Sequence, residues 1–181
     1  MKKILVPLAE GFEEIEAVTI IDVLRRAHLK VVTASLSKEW VMGSHGIAIK
    51  ADGILKDMLP ADFDAVVLPG GMPGAKHLRE NDFLLDILRD MNADNKWVGA
   101  ICAAPTVLQA AGVIEDRKIT SYPSFEEVLN ERHYVQEPVV VDGNLITSRG
   151  PGTALAFSLQ LVSLLEGEDL AAELTKSMLA L

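Results

Sequence analysis

The chain's single cysteine, Cys102, sits in Gly99-Ala100-Ile101-Cys102-Ala103-Ala104-Pro105, where an apolar run ends at the thiol and a proline-led helix start follows. Small residues on both sides permit the tight turn of a nucleophile elbow, which holds a reactive side chain out beyond a strand end. Here the nucleophile is sulfur. A thiol at a helix N-terminus meets partial positive charge and unsatisfied N–H groups, which predicts a pKa below the free value of about 8.5. A lone cysteine is more often a small buried hydrophobe, and the strand-to-helix setting is what turns the reading toward chemistry.

Other segments carry groups that such a thiol needs. Pro69-Gly70-Gly71 follows an apolar run. Paired glycines let a backbone N–H come close to a ligand, so Gly71 and Ala103 would together form an oxyanion hole. Taken alone, the Gly-Gly pair is an ordinary strand-to-helix turn. The acids Glu10, Glu13, Glu14 and Glu16 crowd one loop and helix start. Most of them complement the helix dipole in solvent, but one folded inward onto Cys102 would have a raised pKa and a proton to give. The residues alone do not choose which. Ser148-Arg149-Gly150-Pro151-Gly152-Thr153 offers a further turn, with Thr153 as an N-cap and room for an anion at the helix start.

The scaffold that must position these groups is legible as alternation. Short β-branched runs at 3–8, 30–35, 64–68 and 97–101 alternate with segments of helical period at 13–27, 75–91 and after 105, the signature of crossover units around a parallel sheet. In 13–27 the apolar set is Ile15, Val18, Ile20, Ile21 and Leu24, with acids in the first turn and Arg25-Arg26 in the last. Gly112 is the expected cap of the helix that opens after Cys102. Weaker signals predict strands at 46–50 and 118–121, a short helix at 125–130, a hairpin of 138–141 with 145–147, and helices at 153–165 and from 169 onward. With no repeat, low-complexity tract or linker, residues 1–181 read as one doubly wound α/β domain. Ligands of such sheets bind beyond the carboxyl ends of the strands, which is where 9–16, 69–74 and 101–105 fall.

Composition excludes several function classes. With 181 residues, 49% of them hydrophobic, the chain supplies one full core and no case for disorder. A net charge of −9 repels nucleic-acid backbones and anionic lipid. No run reaches the length of a membrane span, and the first apolar run stops at Glu10, too short for a signal peptide, so a cytoplasmic location is expected. One cysteine makes no internal disulfide, and no Cys/His set has zinc-ligand spacing. Gly150-Pro151-Gly152-Thr153-Ala154-Leu155 misses the third glycine of a dinucleotide fingerprint and there is no P-loop, so no nucleotide cofactor or metal is expected. His28, His45, His77 and His133 read as surface residues, and none adjoins Cys102.

Together, Ile4-Leu5-Val6-Pro7-Leu8, Gly11-Phe12-Glu13-Glu14-Ile15-Glu16-Ala17-Val18, Asp22-Val23-Leu24-Arg25-Arg26, Asp64-Ala65-Val66-Val67-Leu68-Pro69-Gly70-Gly71, the elbow, and Leu145-Ile146-Thr147-Ser148-Arg149-Gly150-Pro151-Gly152-Thr153 resemble the ThiJ/PfpI superfamily in its DJ-one/ThiJ branch, over nearly the whole chain. The resemblance implies a flavodoxin-like homodimer, with a mainly parallel sheet and helices on both faces. It further implies a reactive Cys102, a protonated Glu16 beside it, backbone donors at Gly71 and Ala103, and a pocket including Gly70, Tyr122, Arg149, Gly150 and Pro151. Activities of the branch are cofactor-free glyoxalase III and deglycase chemistry on small α-oxoaldehydes such as methylglyoxal or their early adducts, peroxide sensing, and chaperone behaviour. Two departures bear on this. PfpI-type peptidases have His after the cysteine, where this chain has Ala103, which argues against proteolysis. Some glyoxalase-active members place a histidine where Tyr122 stands, and a tyrosine hydroxyl would still donate to a carbonyl. The expectation is therefore a cysteine-dependent glyoxalase or deglycase, with an oxidative-stress sensor or chaperone as the alternative. An interaction module, with Arg25-Arg26 and His45 at a subunit interface, is a third reading.

Overall fold

A computed structural model describes residues 1–129 and 133–180. In chain order the elements are β1 (Lys3–Leu8), α1 (Glu14–Arg26), β2 (Lys30–Ser35), β3 (Trp40–Met42), β4 (Ala48–Lys50), β5 (Gly53–Ile54), β6 (Ala65–Leu68) and α2 (Gly74–Arg79). They continue with α3 (Asp82–Ala93), β7 (Trp97–Ile101), α4 (Pro105–Ala111), α5 (Glu126–Leu129), β8 (Val139–Asp142), β9 (Leu145–Ser148), α6 (Ala154–Glu166) and α7 (Glu168–Ser177). The main sheet runs β5-β2-β1-β6-β7-β9-β8, parallel except for β8 against β9. This is the doubly wound, mainly parallel α/β architecture that the alternation predicted.

Both faces of the central strands are apolar because both are covered. Leu5, Val66, Leu68, Val98 and Ala100 pack on one side with Leu78, Leu84, Leu88 and Val107, residues of α2, α3 and α4. Ile4, Val6, Leu8, Ala65 and Val67 pack on the other with Ile20, Leu24, Phe157 and Leu161 of α1 and α6. Burying one such side chain fully contributes roughly 1.5–3 kcal/mol, so the strand ends are held by two cores at once.

The structure corrects several expected elements. The helix expected over 75–91 is two helices, because Asn81 leaves helical geometry and its side chain accepts from the Leu84 N–H at 2.9 Å, capping α3. Segment 118–121 makes only an isolated bridge from Ile119 to Tyr134, the Thr120 amide going to the Thr147 hydroxyl at 2.9 Å rather than to a ladder. Strand 46–50 shortens to β4 and pairs with β3, which was not expected, in a separate antiparallel hairpin. The helix near 125–130 is a 3-10 turn running into α5, with residue 130 outside the described residues. On α1 the buried stripe is Glu16, Ile20, Val23 and Leu24, the i, i+4, i+7, i+8 set, so Ile15 and Val18 point outward at 58% and 48% exposure. Arg25 and Arg26 pair within the chain, with Asp52 at 3.2 Å and Asp22 at 2.6 Å. Gly112 caps α4 in the left-handed region as expected.

Candidate active site

Three loops at the carboxyl ends of β1, β6 and β7 converge on Cys102. Directly after β7, Cys102 takes φ +64°, a left-handed conformation that costs a non-glycine residue roughly 1–2 kcal/mol. Hydrogen bonds on both sides enforce it. Its N–H donates to the Ser148 carbonyl at 3.0 Å, its carbonyl accepts from the Tyr122 N–H at 2.9 Å, and the Ala104 N–H donates to the Ile101 carbonyl at 3.0 Å. The turn is thus a built elbow, tied to β9 and to the segment before α5.

Glu16 arrives from α1 through the stripe just described, so a position that would carry an aliphatic residue carries a carboxyl that is fully buried. Its Oε2 accepts from the Gly70 N–H at 2.7 Å, while Oε1 is buried without a hydrogen-bond partner of ordinary geometry among the described residues. Gly70 must be glycine. A Cβ there would lie 2.7 Å from the Cys102 Cβ and 2.8 Å from Glu16 Oε2, well inside any contact that side chains tolerate. Gly71 follows at φ +91°, again in the left-handed region.

Electrostatically the pair is one unit. Burial pushes the Glu16 carboxyl up to about 7, with the nearby Glu13 charge acting the same way and hydrogen bonds from Gly70 and Cys102 opposing it. Burial also pushes the Cys102 thiol up to about 12, assisted by the charge of Glu16 and the hydrogen bond to it. The Gly71 and Ala103 N–H groups beside the sulfur pull the other way. The expected lowering by the helix start does not occur. Helix α4 begins only at Pro105 and is seven residues long, so desolvation outweighs its dipole. Between about 7 and about 12 the two groups share a single negative charge.

A cavity of about 350 Å³ opens over the sulfur, lined by Glu13, Gly71, Met72, Cys102, Ala103, Tyr122, Ser124, Phe125 and Pro151. Arg149 and Gly150 line an adjoining cavity of about 220 Å³ that shares Tyr122 and Pro151 with it. Of the residues expected at the site, Cys102, Glu16, Gly70, Gly71, Ala103, Tyr122 and Pro151 come together, and Arg149 and Gly150 stand one cavity away. Thr153 precedes α6 but does not cap it. Its hydroxyl turns back to accept from the Arg149 and Gly150 amides at 3.2 and 3.1 Å. Met72, Ser124 and Phe125 were not expected. Met72 lies in the 69–74 loop that the sequence does single out, whereas Ser124 and Phe125 lie in the 3-10 turn after Pro123, which carries no binding signal in sequence.

Beside the cavity, Glu13, Glu14 and His45 bring ligand-type atoms within 4.8 Å of one another, the metal-like grouping among the described residues. Glu14 is already committed, accepting from the His45 amide at 2.6 Å, the Ile47 amide at 3.3 Å and His45 Nδ1 at 3.0 Å. Burial pushes its carboxyl up, but these bonds outweigh it and hold the pKa down to about 2. The cluster therefore ties α1 to the β3–β4 turn. His45, read from sequence as a surface residue, is exposed and bonded to Glu14. Among the described residues no helix is long and apolar enough to cross a membrane.

The fold and site define a class: a doubly wound α/β protein presenting an elbow cysteine beside a buried carboxyl. The chain belongs to the DJ-1/PfpI family, whose model matches residues 2–164, and within it to the branch of the DJ-1 homologues. It is 44% identical to Protein dj-1beta of Drosophila melanogaster, over 98% of this chain and 97% of that protein. It is 38% identical to the Glutathione-independent glyoxalase DJR-1.2 of Caenorhabditis elegans, over 93% of this chain and 91% of that protein. The structure of oxidized Toxoplasma gondii DJ-1 superposes with a TM-score of 0.96 at 38% identity, over 99% of this chain and 98% of that one. Against the Arabidopsis thaliana DJ-1 homologs B and A the chain spans only 41% and 46% of the relative's length.

Proposed function

We propose that the protein is a cofactor-free glyoxalase acting on small α-oxoaldehydes such as methylglyoxal. The observation that carries this reading is a buried Glu16 carboxyl, held by the Gly70 amide, coupled to Cys102 and poised at about 7. The family relationship, which includes a glyoxalase, supports it.

Glu16 in its ionised form takes the thiol proton as Sγ attacks the aldehyde carbon, which removes the need for a free thiolate. The alkoxide of the resulting hemithioacetal receives that proton back, next to the Gly71 and Ala103 N–H groups. Glu16 then carries the C1 proton to C2 while the C1 hydroxyl proton passes to the C2 oxygen. The product is a 2-hydroxyacyl thioester on Cys102, which water cleaves to a hydroxy acid. No external oxidant is needed, since C1 is oxidised as C2 is reduced. Lactate formation from methylglyoxal tests the reading. Wild type should form lactate, Cys102→Ser and Glu16→Gln should lose it by about 10²-fold or more, and equal rates in all three would overturn it.

A second reading is favoured by the same buried carboxyl beside the sulfur: oxidation of Cys102 by peroxide to a sulfinate that the protonated Glu16 hydrogen-bonds. Mass spectrometry after mild peroxide should find two added oxygens on Cys102 alone, and oxidation elsewhere would count against it. As partner we infer a second copy of the chain, seated on the apolar outer face of α1 and the hairpin, where Ile15, Val18 and Ile47 are 58%, 48% and 58% exposed. Sedimentation should give twice the chain mass for wild type and one chain mass for Val18→Glu.

A further inference from the structure

The proposed cycle leaves one step without a residue, the hydrolysis of the thioester, and Glu16 is badly placed for it. Glu16 is fully buried, with Oε2 held by the Gly70 amide. Water approaching an acyl group on Cys102 enters through the open cavity, and a group sealed beneath the sulfur does not meet it. Glu13 does. It lines the same cavity as Cys102, its side chain is 12% exposed, and its own N–H donates to the Gly70 carbonyl at 2.9 Å, fixing it to the loop that also supplies Gly71. Behind it, the Ser44 hydroxyl donates to Glu13 Oε2 at 3.4 Å and His45 Nδ1 lies 3.5 Å from the same oxygen. His45 in turn is 70% exposed, so the polar groups that hold Glu13 in place open to solvent.

We propose that Glu13 is the general base of the deacylation half of the cycle, working on the water side of the sulfur while Glu16 works on the buried side. This rests on the reading above only in requiring an acyl group on Cys102. Glu13 takes a proton from water as the water oxygen bonds to the thioester carbon, and the Gly71 and Ala103 N–H groups face the tetrahedral oxyanion. Collapse breaks the C–S bond, its electron pair returns to Sγ, and Sγ takes the proton held by Glu13. The released acid gives its own proton to solvent. Each carboxyl is thereby used where its position suits it: the sealed one for proton transfer between substrate carbons, the one lining the cavity for activating water.

The test separates the two halves with p-nitrophenyl acetate, which acylates a cysteine whether or not the enzyme isomerises aldehydes. The expected wild-type trace is a burst of one p-nitrophenolate per chain followed by a slower steady rate set by deacylation. In Glu13→Gln the burst should persist, also showing that the site is folded, while the steady rate falls about 10²-fold or more. Formate should restore part of the steady rate in Glu13→Ala, an effect that a merely structural glutamate does not give. A steady rate unchanged in Glu13→Gln, burst and steady rate falling together, an absent wild-type burst, or no formate rescue would each overturn the proposal. Failure of wild type to make lactate would remove the glyoxalase reading and leave this assay standing.

Discussion

Replacing Glu16 by Gln should make Cys102 a better nucleophile toward a simple alkylating agent and a worse catalyst, although nucleophilicity and catalysis ordinarily rise together. The thiol is pushed from 9.0 up to about 12, first by burial and then by the charge of Glu16 and its hydrogen bond. Two like charges roughly 4 Å apart at an effective dielectric of about 20 repel by about 4 kcal/mol, a ceiling on what Glu16 contributes. Glutamine keeps the volume and an acceptor for the Gly70 amide but loses the charge, so burial remains and the charge repulsion goes. A fall of about one in the thiol pKa is a conservative share, equivalent to about 1.4 kcal/mol and tenfold more thiolate below the pKa. The assay is the second-order rate of iodoacetamide with Cys102 at pH 8, read by mass spectrometry in both proteins. Glu16→Gln should react about tenfold faster while forming lactate at least about a hundredfold more slowly. Slower or unchanged alkylation in the variant would refute the like-charge coupling on which the shared-proton picture stands.

Three further outcomes follow from the same geometry. The folded Glu16 holds its proton up to about 7 and an unfolded one releases it near 4.5, so the folded state binds more protons in between. Stability from this group is therefore full below about 4.5 and falls as pH rises through about 7, by at most about 3 kcal/mol; urea midpoints should show the decline in wild type and a flatter profile in Glu16→Gln. Gly70→Ala puts a methyl against the Cys102 Cβ and Glu16 Oε2 and should cost about 1–3 kcal/mol in denaturant unfolding, with most lactate formation lost. Glu14→Gln weakens the acceptor for the His45 and Ile47 amides, so hydrogen exchange at those two amides should speed up while the β7 amides keep their protection.

Much of this arrangement is legible in the chain, for reasons that differ by residue. The parallel core strands are legible because they are short, β-branched and apolar on both faces. Cys102 is marked by small flanks and a following proline, and the structure adds the φ of +64° that those flanks permit. By residue type alone Glu16 is one of four acids, and only the family resemblance singles it out. What turns it inward is that Glu16, Ile20, Val23 and Leu24 share one helical stripe, of which the sequence reading has Ile20 and Leu24, mixed with the outward Ile15 and Val18. The thiol's electrostatics were misjudged because desolvation depends on what packs around the sulfur, which no local motif records. Likewise the role of His45 as a tether rests on Glu14, thirty-one residues earlier, and Asn81 shows that a cap inside an amphipathic run outweighs continuing periodicity.

One proton shared between Glu16 and Cys102 underlies the proposed chemistry, and the pH profile of kcat/KM for methylglyoxal tests that most directly. The profile should rise about tenfold per pH unit below about 7 and level off above it, with the inflection absent from Glu16→Gln. A rate flat across that range, or one that rises only near the free-thiol value of about 8.5, would contradict it.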